Sequence, residues 1–443
     1  MKKSLVALAT LAATGAVMAQ ATIYGRMDVS YGVKQSTMGN GGLGWKQVGL
    51  MDGLSTSNAI GFDATDDIGG GMKARFVAET GLSPTNGQGM FGGMRTGNAG
   101  AQLDGYASSA TDLFDYGSLG GYTQASNRQT FVQLAGGFGT IRAGYQRTLG
   151  YEHATFNGYT FTGEGAVGGQ VSHAFGLGAA GGTRSNSIEY QLPKMGAMNI
   201  AIQMGSTGGR ESTEFGSAAN NSATGRGTTK DARTSVQVKY EAGALKAGVT
   251  YTNYSSVASA IAQNCSTTST AAPNAFCTYG ALGQLTGLSS AAAANFTGDA
   301  EFNTNLTQLG GSYDFGMIKV GVTYNTGAFN RTSVTTSAAG TAPAVASGTG
   351  VASYDIRSQA ISFSMPLGAA TLYGGMGTAS QATGSSSIHD FSTQQIALDY
   401  AFSKRTKVYG LIGAAKDQAK INSLSATASG YMTQTGVGIL TTF

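Results

Sequence analysis

Strict alternation between apolar and polar residues recurs in short runs along this chain. In one run Ile23, Met27, Val29 and Tyr31 share a face with Gly25, while Tyr24, Arg26, Asp28 and Ser30 share the other. In another, Met72, Ala74, Phe76 and Ala78 oppose Lys73, Arg75, Val77 and Glu79. Leu245, Ala247, Val249 and Tyr251 against Lys246, Gly248 and Thr250 repeat the pattern, as do Ile318, Val320, Val322 and Tyr324 against Lys319, Gly321 and Thr323. A period of two predicts β-strands with one apolar and one polar face.

The connections between the runs alternate too. Seven are short, at 66–71, 136–139, 193–196, 241–243, 314–316, 366–368 and 403–405. Eight are long, at approximately 34–56, 82–127, 147–184, 205–234, 253–303, 325–357, 377–393 and 415–430, and are rich in Gly, Ser, Thr, Ala and Asn, as solvated loops are. Seven short turns interleaved with eight long loops predict sixteen antiparallel strands, with the short turns and both termini at one end. A closed barrel crossing a membrane sorts its connections this way, because one side only turns the chain while the other faces the environment. A soluble sandwich has no reason to do so.

Composition narrows the reading further. The 443 residues are 41% hydrophobic and only 11% charged, well below the roughly 25% charged residues of soluble domains. No charge run or proline-rich linker divides the chain, so residues 20–443 read as one domain. Residues 1–19 read as a secretory signal peptide: Lys2-Lys3, an apolar core from Leu5 to Val17, and the small-residue cleavage signature Val17-Met18-Ala19. No later apolar stretch reaches the roughly 20 residues of a spanning helix, so any membrane crossing falls to strands. Tyr31, Tyr190, Tyr240, Tyr251, Tyr313, Tyr324, Tyr400 and Phe402 stand at strand ends, as an aromatic girdle would. The final strand sets Tyr431, Val437, Ile439 and Phe443 against Gln434 and Leu440. Without Lys2 and Lys3, 25 basic residues face 23 acidic ones, a formal net of +2, too little to argue for a nucleic-acid partner.

Short motifs then carry a resemblance. Thr22-Ile23-Tyr24-Gly25-Arg26-Met27-Asp28 resembles the opening strand of the trimeric general porins of Gram-negative outer membranes, in their beta-proteobacterial branch. Asp66-Asp67-Ile68-Gly69-Gly70-Gly71-Met72-Lys73-Ala74, followed by Phe76 and Glu79, is similar to that family's first short hairpin. Arg128-Gln129-Thr130-Phe131-Val132-Gln133-Leu134 with Gly137-Phe138-Gly139-Thr140 resembles its next one. Asn186-Ser187-Ile188-Glu189-Tyr190, Tyr313-Asp314-Phe315-Gly316, Ser403-Lys404-Arg405-Thr406 and Phe443 complete the series. The resemblance implies a homotrimer in outer-membrane lipid, each barrel holding a water-filled pore for small hydrophilic solutes and ions. It also implies that the third long loop, 147–184, folds inward with Glu152, His153, Tyr159, Phe161 and Glu164 and faces basic groups on the wall. Such a transverse field discriminates ions by sign.

Parity puts Arg26, Asp28, Asp63, Lys73, Arg75 and Arg142 on polar faces, with Arg75 the leading candidate for the narrowest part of the channel. Arg128 and Arg184 match pore-lining positions of the family. Strict alternation nevertheless sets Arg128 with Val132 and Leu134, and Arg184 with Ile188 and Tyr190. Either a bulge shifts the register or both lie at the loop junction, since an arginine facing lipid costs about 2–4 kcal/mol at the midplane. This chain departs from the family at Ala59 and Asp63, where basic residues are common, and at Gly144-Tyr145-Gln146, with Arg147 displaced by two positions. The expected selectivity is therefore weak, leaning to anions through Arg26, Arg75 and Arg184, and Arg75→Ala is expected to move it toward cations.

Other chemistry finds little support. Cys265 and Cys277 share one long loop with no histidine nearby, which suits a loop disulfide better than a metal site. The three histidines, His153, His173 and His389, all fall in predicted loops, and Ser172-His173 are only sequence neighbours, so no nucleophile–base pair points to an enzyme. Gly39-Asn40-Gly41-Gly42 lacks the Lys-Ser/Thr of a phosphate loop. No cofactor is expected. A substrate-specific channel and a surface adhesin are the rival readings; Tyr24, Tyr373 and Tyr409 have inward parity but form no evident sugar-stacking ladder.

Overall fold

The computed structural model of the chain describes residues 20–36, 45–85, 127–153, 184–206, 229–263, 296–334, 353–383, 386–419 and 429–443. Tyr159, Phe161, Glu164, His173, Cys265, Cys277 and the 1–19 segment lie outside the described residues.

The strands are β1 (Gln20–Ser36), β2 (Trp45–Asp52), β3 (Ala59–Gly69), β4 (Met72–Gly81), β5 (Asn127–Gly136), β6 (Gly139–Arg147), β7 (Arg184–Gln191), β8 (Met198–Ser206) and β9 (Thr229–Ala242). They continue as β10 (Leu245–Gln263), β11 (Phe296–Asp314), β12 (Lys319–Val334), β13 (Ser353–Leu367), β14 (Ala370–Thr383), β15 (Ser386–Ala401), β16 (Thr406–Ala419) and β17 (Ser429–Thr442). One short helix, α1 (Leu149–Glu152), follows β6.

From β3 onward each strand pairs antiparallel with the next in sequence, β3 also pairs with β1, and β17 returns to pair with β1, Arg26 opposite Thr442 and Ser36 opposite Met432. The ring through β1 and β3 to β17 is therefore closed, so none of those strands presents an open edge to lipid. β2 and β3 both lie along β1, Asp52 opposite Val29 and Ala59 opposite Arg26. They are one stave broken at residues 53–58, so the barrel has the sixteen staves that the turn count predicts.

The alternating faces are those expected. Ile23 (66% exposed), Phe76, Val249, Tyr251, Val322, Tyr324, Val437 and Ile439 point outward, together with all eight girdle aromatics. Val77, Glu79, Thr250, Thr323, Tyr373, Tyr409, Gln434 and Leu440 point inward and are buried. The seven short turns also stand where expected. Gly243 (φ 55°) and Gly316 (φ 86°) show why glycine recurs in them, since the chain reverses through the left-handed region. The turn at Ser403 manages without, its Oγ accepting the amides of Arg405 (3.1 Å) and Thr406 (3.0 Å).

The opposite end differs from expectation. Strands extend well into the stretches read as loops: 34–36 belongs to β1 and 45–52 to β2, and β14 and β15 leave only 384–385 between them where a loop at 377–393 is expected. His389 accordingly sits in β15, opposite Gln381. Above the apolar band both faces of a strand meet water, so Ser-, Thr- and Asn-rich backbone keeps its ladder without any apolar alternation to announce it.

Candidate functional site in the barrel lumen

The root of the third loop lies inside the barrel. Thr148 caps α1, its Oγ1 accepting the Tyr151 amide at 3.0 Å, and Leu149 and His153 are fully buried. Inward side chains of the wall hold this turn by its backbone: Gln203 Nε2 donates to the Arg147 carbonyl (2.9 Å), Gln237 Nε2 to Leu149 (2.9 Å) and Gln308 Nε2 to Gly150 (3.3 Å). Lys239 Nζ donates to Glu152 at 3.2 Å, and Arg142 approaches the same carboxylate at 3.9 Å. His153 Nδ1 lies 3.3 Å from Thr250 Oγ1. Burial pushes the His153 imidazole down to about 4, with the Lys239 charge adding to the effect and a bond to the Leu309 backbone opposing it, so the ring is neutral.

The charged residues of the wall sort into paired and clustered groups. Arg75 makes a bidentate bridge to Asp63, at 2.9 and 2.5 Å, from adjacent inward positions of β4 and β3. A carboxylate so close to its guanidinium leaves a compact dipole rather than a net charge. Lys73 is exposed, one position in from the β3–β4 turn. Arg142 lies between Glu152 and Glu189 (3.7 Å) and over the Phe131 ring.

The second group is richer in positive charge. Arg128 Nε donates to Glu79 at 2.6 Å, Arg26 approaches the same carboxylate at 3.6 Å, and Tyr24 donates its hydroxyl to it at 3.1 Å. The Tyr24 ring lies across Gly61, where a Cβ would stand 2.3 Å from the ring, so glycine there lets the phenol reach Glu79. Arg147 and Arg184, opposite one another on β6 and β7, both stand over the Tyr151 ring of α1, at 5.5 and 6.0 Å. Arg26, Arg128, Arg147 and Arg184 act on one another electrostatically. Among the described residues, Glu79 is the one carboxylate paired with any of the four.

The register explains Arg128. Glu79 pairs with Gln129 and Thr80 with Asn127, so Arg128 is the extra residue of a bulge that turns it inward, where it is 6% exposed. Arg184 needs no bulge. It occupies the first position of β7, below which Ser185, Ser187 and Glu189 face inward, and its guanidinium bends over Tyr151.

Asp28 departs from the expected role. It faces inward but is 0% exposed, covered by the break in the second stave. Its Oδ2 accepts the Ser55 (2.8 Å) and Thr56 (2.7 Å) amides, its Oδ1 the Tyr409 hydroxyl (2.5 Å), and its own amide donates to the Asn58 side chain. Leu54, also fully buried, packs with Met51, Tyr373, Ala397, Tyr409, Leu411 and Leu440. Asp28 is thus a fastening for an inward fold and does not line the channel. The same fold reaches the charged cluster, because the Ser57 carbonyl accepts Arg26 Nε at 2.7 Å.

Sequence alone marks Arg147 only as a displaced family position, and it does not single out Tyr151, the 53–58 fold or the three glutamines. Inward parity marks Gln203, Gln237 and Gln308 as wall residues, but nothing local tells which wall amides meet a loop arriving from β6. Residues 53–56 fall within the long loop expected at 34–56, and only their lack of alternation sets them apart from a stave.

The sequence profile described as Gram-negative porin matches residues 4–420. Outer membrane porin protein 32 of Delftia acidovorans is 31% identical over 209 residues, 46% of this chain and 49% of that protein, so the chain spans about half the length of this curated relative. Among solved structures, an anion-selective porin from Comamonas acidovorans superposes with a TM-score of 0.60 at 17% identity, covering 96% of this chain and 100% of that one. A trimer form of in-vitro folded OmpT of Vibrio cholerae gives a TM-score of 0.53 at 12% identity, covering 96% and 99%.

Proposed function

Because the chain belongs to the Gram-negative porin family, we propose that it is a general diffusion channel of the bacterial outer membrane, passing small hydrophilic solutes and ions with a weak preference for anions. The observation that carries this reading is the cluster of Arg26, Arg128, Arg147 and Arg184 beside α1, with Glu79 the one carboxylate paired with them among the described residues. A low-dielectric wall focuses the field of such a group into the aqueous gap and raises the local anion concentration. Arg75 contributes little because Asp63 cancels it at short range. The preference stays modest because mobile salt screens the lumen over about 8 Å.

The same reading includes removal of residues 1–19 on export, narrowing of the channel by the third loop, and assembly as a homotrimer. The trimer form of the OmpT neighbour supports the last of these. Planar-bilayer recording tests the whole. Ohmic conductance closing in three equal steps, with a reversal potential of anion sign in a potassium chloride gradient, is expected. A cation-signed potential overturns the selectivity. Saturable block by one of a sugar panel favours a substrate-specific channel instead, and absent conductance favours an adhesin barrel.

A further inference from the structure

We propose that Gln203, Gln237 and Gln308 are positioning residues that lock the root of the third loop to the wall and so hold the channel in one open state. This rests on the reading of the lumen as a conducting pore. The three donate through Nε2 to the carbonyls of Arg147, Leu149 and Gly150, three of the four carbonyls from 147 to 150 where the loop opens. A carbonyl oxygen has two lone pairs, so even that of Leu149, which takes the His153 amide, accepts a second bond from the wall. Gln237, Thr250 and Gln308 stand directly opposite one another on β9, β10 and β11, and Gln203 stands one inward position higher on β8. Gln237 Nε2 also donates to Thr250 Oγ1 at 2.8 Å, which fixes the orientation of its amide.

The arrangement suits a lock better than ion pairs alone. A neutral amide donates to a backbone carbonyl with no dependence on pH and little on salt, and it fixes height as well as distance. The Glu152 bridges to Lys239 and Arg142, at 3.2 and 3.9 Å, add attraction at one point only. With the amides removed, α1 keeps the Glu152 bridges and the His153 contacts with Thr250 and the Leu309 backbone, and swings on that side. Tyr151 then leaves its place beneath Arg147 and Arg184, and α1 samples second positions in the lumen.

Single-channel recording of the full-length protein tests this. Loss of one donor is expected to raise the occupancy of subconductance states relative to the main open state about fivefold, and loss of two about 25-fold, from a net of roughly one bond each. The variants are Gln308→Leu, Gln237→Leu and the double substitution. Gln237→Met keeps the length of the side chain while losing the donor, so it serves if a leucine variant does not assemble, and it is expected to match Gln237→Leu. Gln395→Leu is the control, since Gln395 is an inward glutamine of β15 whose amide atoms have no hydrogen-bond partner among the described residues and which lies away from α1. Unchanged subconductance in the Gln237 and Gln308 variants, with the unaltered protein conducting, overturns the lock. An equal rise in Gln395→Leu overturns it too, because wall polarity would then be the cause. Absence of conductance in the unaltered protein instead sinks the reading of the lumen as a pore.

Discussion

The root of the third loop and the break in the second stave both fold inward from the barrel wall, yet different chemistry holds them. α1 and the end of β6 offer backbone carbonyls, and neutral glutamines and a lysine on β8, β9 and β11 reach out to them and to Glu152. The 53–58 segment offers amides and one leucine, and a buried carboxylate and an apolar floor receive them. The first is fastened by several weak bonds that exchange readily with water. The second rests on a charge and a side chain that cannot be moved without leaving a buried group unpaired or a hole. The difference teaches that an inward segment can be built either to remain adjustable or to become part of the wall.

Substitutions that separate the two should show it, the largest effect first. Asp28→Ala strips acceptors from two amides and the Tyr409 hydroxyl in a dry site, and is expected to cost about 4 kcal/mol. The expected readout is a lower temperature of barrel unfolding in detergent. Leu54→Ala opens a cavity in the same cluster and is expected to cost about 3 kcal/mol by the same assay. Gln237→Leu, by contrast, is expected to leave that temperature nearly unchanged while altering the current record. Equal thermal losses for Asp28→Ala and Gln237→Leu would erase the distinction.

Ion selectivity sharpens the comparison at the cluster that the two folds share, because Arg26 is held by Ser57 and Arg147 and Arg184 stand over Tyr151. Arg128→Gln and Arg75→Ala are both expected to move the reversal potential toward cations, the second because loss of Arg75 leaves the Asp63 carboxylate without its guanidinium. Glu79→Gln is expected to move it the other way. The smallest effect concerns acid. His153 has a folded value near 4 against about 6.5 when free. The lowered value means that docking of α1 is fully supported above about pH 6.5 and weakens as pH falls toward 4, by at most about 1.4 kcal/mol per unit. Glu152, Glu189, Lys239 and Arg142 surround the same turn. Subconductance is therefore expected to rise between pH 6 and 5, and His153→Asn to flatten that rise.

The barrel was legible in the sequence because lipid enforces it: a face that meets hydrocarbon must be apolar at every second residue, and Ile23, Phe76, Val249 and Val322 obey. The turns were legible because tight reversal needs glycine or a hydroxyl such as that of Ser403. The tops of the strands were not, because Ser380 and Thr378 pair as well in water as in a loop-like sequence. The lumen was half legible. Parity placed Arg26 and Arg142 inward, but whether a charge acts alone depends on its neighbour across the ladder, and Asp63 beside Arg75 changes the answer. Arg128 required a bulge that parity can suspect but not locate, and Asp28 was hidden by a segment whose inward course leaves no periodic trace.

The seat of Leu54 has a mechanical consequence. Its side chain rests against Gly436 of β17, where a Cβ would stand 2.5 Å away, while Asp28 on β1 and Tyr409 on β16 grip the same segment. These strands flank the seam at which the first and last staves meet. A hoop joined only by its backbone ladder would be most easily pried apart at that joint, under lateral pressure from the bilayer or by insertion of a foreign strand. Here the joint is bolted from the inside, so a strand that peels away at the seam must first pull its bolt from a dry socket.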